Sequence, residues 1–94
     1  MRRIDFTGQY KKDLKLARKR NLPENKLNEI IYLLATDQEL PAANHDHMLY
    51  GDYAGARECH IQPDWLLIYD KSHDDCIQIL TLIRTGTHSD LFGK

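Results

Sequence analysis

The side chains best suited to chemistry lie in the second half of this 94-residue sequence. Of its five histidines, three, His47, His60 and His88, lie at the ends of predicted strands. Arg84 and His88 belong to a polar run that directly follows an apolar segment. Imidazole titrates near neutral pH, so several histidines with one carboxylate, Asp64, can supply both a proton acceptor and a proton donor. These residue types indicate acid–base catalysis.

One reaction that these groups fit is the cleavage of RNA by its own 2′-hydroxyl. A base removes the hydroxyl proton, an acid protonates the departing 5′-oxygen, and a cation such as Arg84 stabilises the charge of the phosphorane. The reaction needs no metal and no nucleotide cofactor. The alternative for the run 84–92 is a solvated terminus in which Thr87 or Ser89 caps one short helical turn.

Metal binding is the weaker alternative, and no metal is expected. Structural zinc sites usually show short pairs of Cys or His ligands, and the only close pair is in His45-Asp-His47. His45 and His73 are interpreted as surface loop residues. Cys59 and Cys76 lie outside any C-x-x-C motif, so both are expected to be small core residues.

The charge of the chain is distributed unevenly. Residues 1–26 carry nine Lys or Arg against three acids, a net +6, whereas residues 27–94 carry four against eleven, a net -7. Clustered cations attract polyanions at long range, so the N-terminal part is expected to face one; a solvated helix face is the alternative. The chain has neither an apolar run of membrane-span length nor an apolar stretch typical of a signal peptide. A cytoplasmic protein with no membrane partner is therefore expected.

The elements that must position these side chains are of the α+β class. Segregation of helices and strands along the chain predicts an antiparallel sheet covered by a helical hairpin, in the approximate order βααββββ. The chain is of a size for a single domain, residues 1–94. The predicted strands are 2–7 near a sheet edge, 57–61, 65–69 and 77–84, with a further hairpin-like region after residue 48, and the predicted helices are 9–20 and 24–36.

Several blocks of the sequence resemble the YafQ branch of the RelE toxin superfamily. The two longest are Arg57-Glu-Cys-His-Ile-Gln-Pro-Asp-Trp-Leu-Leu-Ile-Tyr69 and Arg84-Thr-Gly-Thr-His-Ser-Asp-Leu-Phe92. Two shorter ones are Asp46-His-Met-Leu-Tyr-Gly51 and Tyr10-Lys-Lys-Asp-Leu14. The resemblance spans essentially the whole chain and implies a RelE-like fold, with an N-terminal helical hairpin packed on a small twisted antiparallel sheet.

Members of this family are toxins of type II toxin-antitoxin systems, which enter the ribosomal A site and cut messenger RNA there. The resemblance therefore implies a metal-independent, ribosome-dependent endoribonuclease without a cofactor. It also implies a cognate antitoxin of the DinJ type, through which alone the toxin would reach operator DNA. The alternative function is a non-catalytic partner of the antitoxin that acts in autoregulation of the operon.

The resemblance also carries functional positions onto this chain. The active or substrate-contacting positions are His47, His60, Asp64, Trp65, Arg84, His88 and Phe92. His88 is expected to be the general acid and either Asp64 or His60 the general base. Arg84 would stabilise the phosphate, and Phe92 would stack on a base. Trp65 has a second interpretation as a core residue.

Three further expectations concern residues outside this set. The residues expected to face ribosomal RNA are the basic side chains of the first helix, Lys11, Lys12, Lys15, Arg18, Lys19 and Arg20. Glu58 and Gln62 depart from the commonest family pattern and are expected to lie away from the site. Removal of residues 91–94 is expected to leave a folded domain.

Overall fold

The structure, a computed structural model, describes residues 1–93. Its elements in chain order are β1 (Arg3–Phe6), α1 (Gly8–Lys19), α2 (Glu24–Ala35), β2 (His47–Met48), β3 (Arg57–Gln62), β4 (Trp65–Asp74), β5 (Ile77–Gly86) and α3 (His88–Phe92). Short 3-10 turns at Ala42–Asn44 and Gly51–Tyr53 flank β2. The predicted α+β class is confirmed, and α3 is added to the predicted order of elements.

The two long helices pack on one face of the sheet. α1 begins after Thr7, whose hydroxyl accepts a hydrogen bond from the backbone N–H of Tyr10 at 3.0 Å. Its buried residues, Tyr10, Asp13 and Ala17, follow helical spacing, and its lysines face outward. α2 buries Leu27, Ile30 and Leu34, which recur at helical spacing along one face. None of the described helices is long and apolar enough to cross a membrane.

The strands form one five-stranded sheet in the order β1-β5-β4-β3-β2. Neighbouring strands from β2 to β5 pair antiparallel, but β1 pairs parallel with β5. The expected antiparallel pairing therefore holds for β2 to β5 but not for β1, which does lie at the predicted edge. Because β1 is followed by two helices rather than by a tight hairpin, its direction is not tied to that of the strand beside it.

The β4–β5 hairpin is longer than the sequence indicated. The predicted strand ended at residue 69, but β4 continues to Asp74, and the turn is confined to Asp75 and Cys76 between the strands. Asp75 has a φ of 57°, in the left-handed region that Asp tolerates well. The side chains from Ser72 onward are exposed, so polar residues are compatible with the strand there. Cys76 is consequently exposed rather than a core residue, whereas Cys59 is buried as expected.

Apolar side chains cover both faces of the sheet, but unequally. The larger cluster joins the helices to the sheet through residues such as Leu27, Leu34, Leu67 and Leu80. The smaller cluster lies on the other face and consists of Leu49, Ala56, Leu66, Ile68 and Leu91. α3 supplies Leu91 to this second cluster, which places the first residue of α3 beside the ends of β3 and β4.

Candidate active site

The first residue of α3, His88, is fixed in place by the cap of its helix. The hydroxyl of Thr87 accepts from the backbone N–H of Asp90 at 3.0 Å, and the Asp90 carboxylate accepts from the backbone N–H of Thr87 at 3.0 Å. This reciprocal capping box orients the start of a very short helix. The terminal run is therefore both a capped turn and the carrier of a histidine.

Asp64, in the turn between β3 and β4, holds the imidazole of His88. Its Oδ1 accepts from the backbone N–H of His88 at 2.9 Å and lies 2.7 Å from Nδ1 of the same residue. The backbone hydrogen bond, and then the side-chain one, lower the pKa of Asp64, so this carboxylate is ionised at neutral pH. With the proton of His88 on Nδ1, its Nε2 is the atom left to give or take a proton.

Two further imidazoles extend this pair into a cluster. The ring of His60, on β3, lies edge-on to that of His88 with 5.6 Å between centroids. The ring of His45 also lies near that of His60, with 5.3 Å between the ring centroids. Its backbone is left-handed, with a φ of 46°, and the neighbouring Asn44 amide donates to the carbonyl of His60 at 2.7 Å. His45 is exposed as expected, yet it belongs to the site.

Glu58 connects His60 to His47. Its Oε1 lies 3.2 Å from Nε2 of His47 and 3.5 Å from Nε2 of His60, and its side chain is only 5% exposed. Glu58 was expected to lie away from the site, and that expectation is wrong. The contact arises because His47 on β2 is the register partner of Glu58 on β3. Residues at positions 58 and 60 share one face of a strand.

The side chains of His47, Glu58 and His60 could also hold a metal ion. One ligand atom from each lies within 4.8 Å of the others. Imidazole nitrogens with a carboxylate oxygen suit Zn²⁺ or Cu²⁺. The sequence did not reveal this set because His47 comes from a different strand and Glu58-Cys-His60 is not a pair of Cys or His ligands of the kind typical of zinc sites. A cleft of about 670 Å³ opens beside it, bordered by His45, His47, His60 and Gln62.

Arg84 is held by a carboxylate of α1 rather than by a member of the histidine cluster. Its Nε and Nη2 donate to the two oxygens of Asp13, both at 3.0 Å. This pairing raises the pKa of Arg84, and the nearby Tyr53 adds to the effect. The guanidinium is therefore a permanent cation. It lies opposite Ile68 of β4, where the strand register shifts.

The structure brings most of the predicted site residues together. His47, His60, Asp64 and His88 form a continuous series of contacts through Glu58 and the neighbouring rings. Phe92 follows them on α3 and is 37% exposed. Its ring packs edge-on against Tyr53 at 6.1 Å between centroids, and Tyr53 in turn lies near Arg84.

Trp65 does not belong to this surface. Its side chain lies in the larger core cluster, on the helix-covered face of the sheet, and the residue is 1% exposed. Its Nε1 donates to the buried hydroxyl of Thr85 at 2.9 Å. The assignment of Trp65 to substrate binding is therefore corrected to a core residue. A Trp at the start of a central strand cannot reach RNA while that face is covered by helices.

The basic residues of α1 and its end are only partly available to a polyanion. Arg18 forms a two-pronged pair with Glu24, with both distances 2.8 Å, and Arg20 pairs with Asp90 at 2.6 Å. The Nζ of Lys11 lies 5.1 Å from the centroid of the Phe6 ring. The other lysines of α1, Lys12, Lys15 and Lys19, are exposed and form no ion pair within the described part of the chain.

Comparisons with known proteins identify the group of proteins that shares this sequence and fold. A family model described as "Bacterial toxin of type II toxin-antitoxin system, YafQ" matches residues 2–93. The chain is 45% identical to the mRNA interferase toxin YafQ of Escherichia coli over 93 residues, which are 98% of this chain and 97% of that protein.

Two solved structures agree with this match. The E. coli DinJ-YafQ toxin-antitoxin complex matches with a TM-score of 0.86 and 45% identity, over 98% of each chain. A metal-bound toxin from Helicobacter pylori matches with a TM-score of 0.87 and 37% identity, over 98% of this chain and 100% of that one. The chain belongs to the YafQ family of bacterial toxins of type II toxin-antitoxin systems.

Proposed function

We propose that this chain is an endoribonuclease that cuts messenger RNA in the ribosomal A site, using the 2′-hydroxyl of the message and no metal ion. The observation that carries the proposal is the contact of His88 Nδ1 with Asp64 Oδ1 at 2.7 Å, with the ring of His60 alongside. Three groups that can exchange or orient a proton thus lie on one exposed edge. The name of the E. coli relative, mRNA interferase toxin, supports the same reaction.

In this mechanism His88 is the general acid. Asp64 accepts the proton on Nδ1 and so holds the ring in one orientation, with Nε2 left to protonate the departing 5′-oxygen. The backbone hydrogen bond to the same carboxylate oxygen fixes Asp64 itself. A histidine whose ring and backbone both donate to one carboxylate oxygen is preorganised for proton transfer.

His60 is the better candidate for the general base. Asp64 was the other candidate, but its pKa is lowered by two hydrogen bonds to His88, which makes it a weak proton acceptor. The imidazole of His60 lies 5.3 Å from that of His45 and 5.6 Å from that of His88, as measured between ring centroids, and beside the Glu58 carboxylate. Glu58 and His47 would orient the ring of His60 in the neighbouring cleft.

Arg84 and Phe92 supply the other two contributions. The fixed charge of Arg84 would stabilise the phosphorane, a type of interaction whose loss typically slows an enzyme by about 10²–10³-fold. The exposed ring of Phe92 would stack on a base of the message. Neither contribution requires a cofactor.

Binding of a metal ion by the triad of His47, Glu58 and His60 would inhibit cleavage. An ion bound there would occupy the lone pair that His60 needs as a base. The existence of a metal-bound toxin from H. pylori with the same fold motivates a direct test. Cleavage should persist with a chelator that removes zinc and copper but leaves Mg²⁺ in the ribosome, and added Zn²⁺ should slow it. Loss of cleavage with that chelator would contradict the metal-independent mechanism.

The proposed partners follow from the family and from the surface of the chain. A DinJ-like antitoxin would keep the toxin inactive and, through its own DNA-binding domain, bring it to operator DNA. Ribosomes and translated message, both found in the cytoplasm, would be the other partners. The unpaired lysines of α1 would contact ribosomal RNA in a salt-dependent way.

The decisive experiment is cleavage of ribosome-bound message by His88→Ala under single-turnover conditions. We expect a loss of about 10²–10⁴-fold, as for removal of a general acid. His73→Ala is the matched control, because His73 is an exposed histidine of β4 near the far end of the β4–β5 hairpin. Undiminished cleavage by His88→Ala would refute the acid assignment.

The same experiment separates the alternative function. A non-catalytic partner of the antitoxin would leave translated message uncut even as the unmodified toxin, while still altering the binding of the antitoxin to operator DNA. The two functions thus differ in the behaviour of the parent chain, before any substitution is made.

A further inference from the structure

The most highly coordinated carboxylate described in this chain lies on its basic helix. Asp13 is 8% exposed and accepts four hydrogen bonds within the described residues. The donors are Gln9 Nε2 at 3.0 Å, Arg84 Nε and Nη2 at 3.0 Å each, and the backbone N–H of Thr85 at 3.2 Å. The neighbouring charged side chains of α1 are exposed. An acid in the middle of the buried stripe of an amphipathic helix thus has a specific partner, Arg84.

We propose that Asp13 is a positioning residue that fixes the orientation of the Arg84 guanidinium toward the scissile phosphate, an inference that rests on the proposed ribonuclease function. A guanidinium carries five N–H donors. Asp13 engages the edge formed by Nε and Nη2, which leaves donors of Nη1 and Nη2 pointing along the other edge of the fork. That edge can donate to two oxygens of a phosphate.

Hydrogen bonds other than those between the side chains of Asp13 and Arg84 also hold the Asp13 carboxylate in place. The backbone N–H of Thr85 donates to the same oxygen of Asp13 as Arg84 Nε does. Gln9, one helical turn before Asp13, donates to the other oxygen. The carboxylate is thus attached to the strand backbone and to its own helix, so rotation of its χ angles would break several hydrogen bonds at once.

This arrangement bears on the rate because the orientation of a catalytic cation matters as much as its presence. A misplacement of about 1 Å can slow a reaction by about 10²-fold. Without Asp13, the Arg84 side chain would retain its charge but gain rotamers. With Asn at position 13, an amide N–H₂ would face one of the guanidinium donors, and the paired geometry would be lost.

The kinetic test is a double-mutant cycle under single-turnover conditions with saturating ribosomes. Asp13→Asn should lower the cleavage rate constant about tenfold and Arg84→Ala by about 10²-fold or more, with ribosome affinity unchanged for Asp13→Asn. Asp13→Asn should have no further effect in the Arg84→Ala background, because a residue that acts through Arg84 has nothing left to position. Equal losses in both backgrounds would overturn the proposal, since they indicate a general structural role.

A spectroscopic measurement tests the same proposal without catalysis. In the parent chain, the ¹⁵N–¹H signal of Arg84 Nε should be visible and protected from solvent exchange. It should disappear in Asp13→Asn and persist in Asp37→Asn, a matched control whose carboxylate pairs with Arg2 and Lys71 elsewhere on the molecule. An unprotected signal in the parent would overturn the proposal, whether or not the variants fold.

The two measurements also distinguish this inference from the proposed function. If the Arg84 signal depends on Asp13 but Arg84→Ala cuts message as fast as the parent, the catalytic role of Arg84 is wrong and the proposed route from Asp13 to the rate falls with it. If Arg84→Ala is slow but the signal and the rate are indifferent to Asp13, the ribonuclease function stands and the positioning role is refuted.

Discussion

Replacement of Trp65 by Phe separates the two roles that a tryptophan at this position can have. In the structure the indole Nε1 donates to Thr85 Oγ1 at 2.9 Å, and the Thr85 hydroxyl donates in turn to the carbonyl of Leu66 at 2.7 Å. Trp65→Phe removes the first of these bonds and leaves part of the ring's volume empty. It also leaves the Thr85 oxygen without that donor. All of these atoms lie in the interior, so the change should act on stability.

The expected loss follows from two contributions. A buried hydrogen bond of this kind contributes about 1 kcal/mol to the free energy of unfolding. The smaller ring of Phe forfeits apolar burial equivalent to one or two methylene groups, about 1 kcal/mol more. A total of about 2 kcal/mol should lower the unfolding midpoint of a domain of this size by about 10 °C. Cleavage measured well below that midpoint should stay within about twofold of the parent, because the indole contacts only the core.

The stability change is best measured by urea unfolding followed by circular dichroism, because Trp65 is the only tryptophan of the chain and its fluorescence is lost in the variant. Thr85→Val, alone and combined with Trp65→Phe, completes a double-mutant cycle with an expected coupling of about 1 kcal/mol. Additive effects would show that the hydrogen bond does not stabilise the fold. A variant as stable as the parent but more than about tenfold slower in cleavage would refute the core assignment and restore Trp65 to the substrate surface.

Two other predictions concern the surface and the short helix α3. Replacement of the unpaired lysines of α1 by Glu should weaken ribosome binding and reduce its salt dependence without unfolding the chain, as measured by ribosome cosedimentation at several salt concentrations; binding that does not change would refute this contact. The lysines to replace are Lys12, Lys15 and Lys19. Phe92→Ala should slow cleavage but leave the urea midpoint nearly unchanged. Its neighbour Leu91 is a core residue, so Leu91→Ala should lower the free energy of unfolding by about 2–3 kcal/mol. Equal effects of the two substitutions on stability would contradict these different roles.

Local pattern was sufficient for the helices and the central strand. Apolar residues at helical spacing in α2, which are Leu27, Ile30 and Leu34, predict a buried helix face. The continuous apolar run at the start of β4 likewise predicts a buried strand. No local pattern predicts the direction of β1, because its pairing with β5 depends on the path of the chain through α1 and α2. The extension of β4 past Asp70 was also missed, since a paired ribbon exposed to solvent has the composition of a turn.

The expected tolerance of the fold to removal of residues 91–94 is revised by the structure. Leu91 is 8% exposed and belongs to the smaller core cluster, so its loss should destabilise that face of the sheet. Lys94 lies outside the described residues. Single substitution at Phe92 is therefore a cleaner test of substrate contact than truncation.

Residue types indicated the kind of chemistry in the site, but its contacts depend on tertiary structure. Asp64 and His88 are 24 positions apart, and Asp13 and Arg84 are 71 apart. No periodicity links such residues. The role of Glu58 was missed because it contacts His60 on its own strand and His47 on the neighbouring strand, and the second contact depends on the strand register. Asp13 could have been found from the sequence, because it is an acid on the same face of α1 as the buried residues Tyr10 and Ala17. A search for apolar spacing alone does not detect it.

The parallel pairing of β1 with β5 has a consequence for how this chain is made. The hydroxyl of Thr7, just after β1, donates to the carbonyl of Ile83, 76 residues further along. During synthesis, β1 and α1 therefore cannot form their packing contacts with β5 until β5 has been made. Contacts this distant in sequence form slowly. Because Arg84 and His88 lie within or after β5, the proposed catalytic site can assemble only when nearly the whole chain has been synthesised.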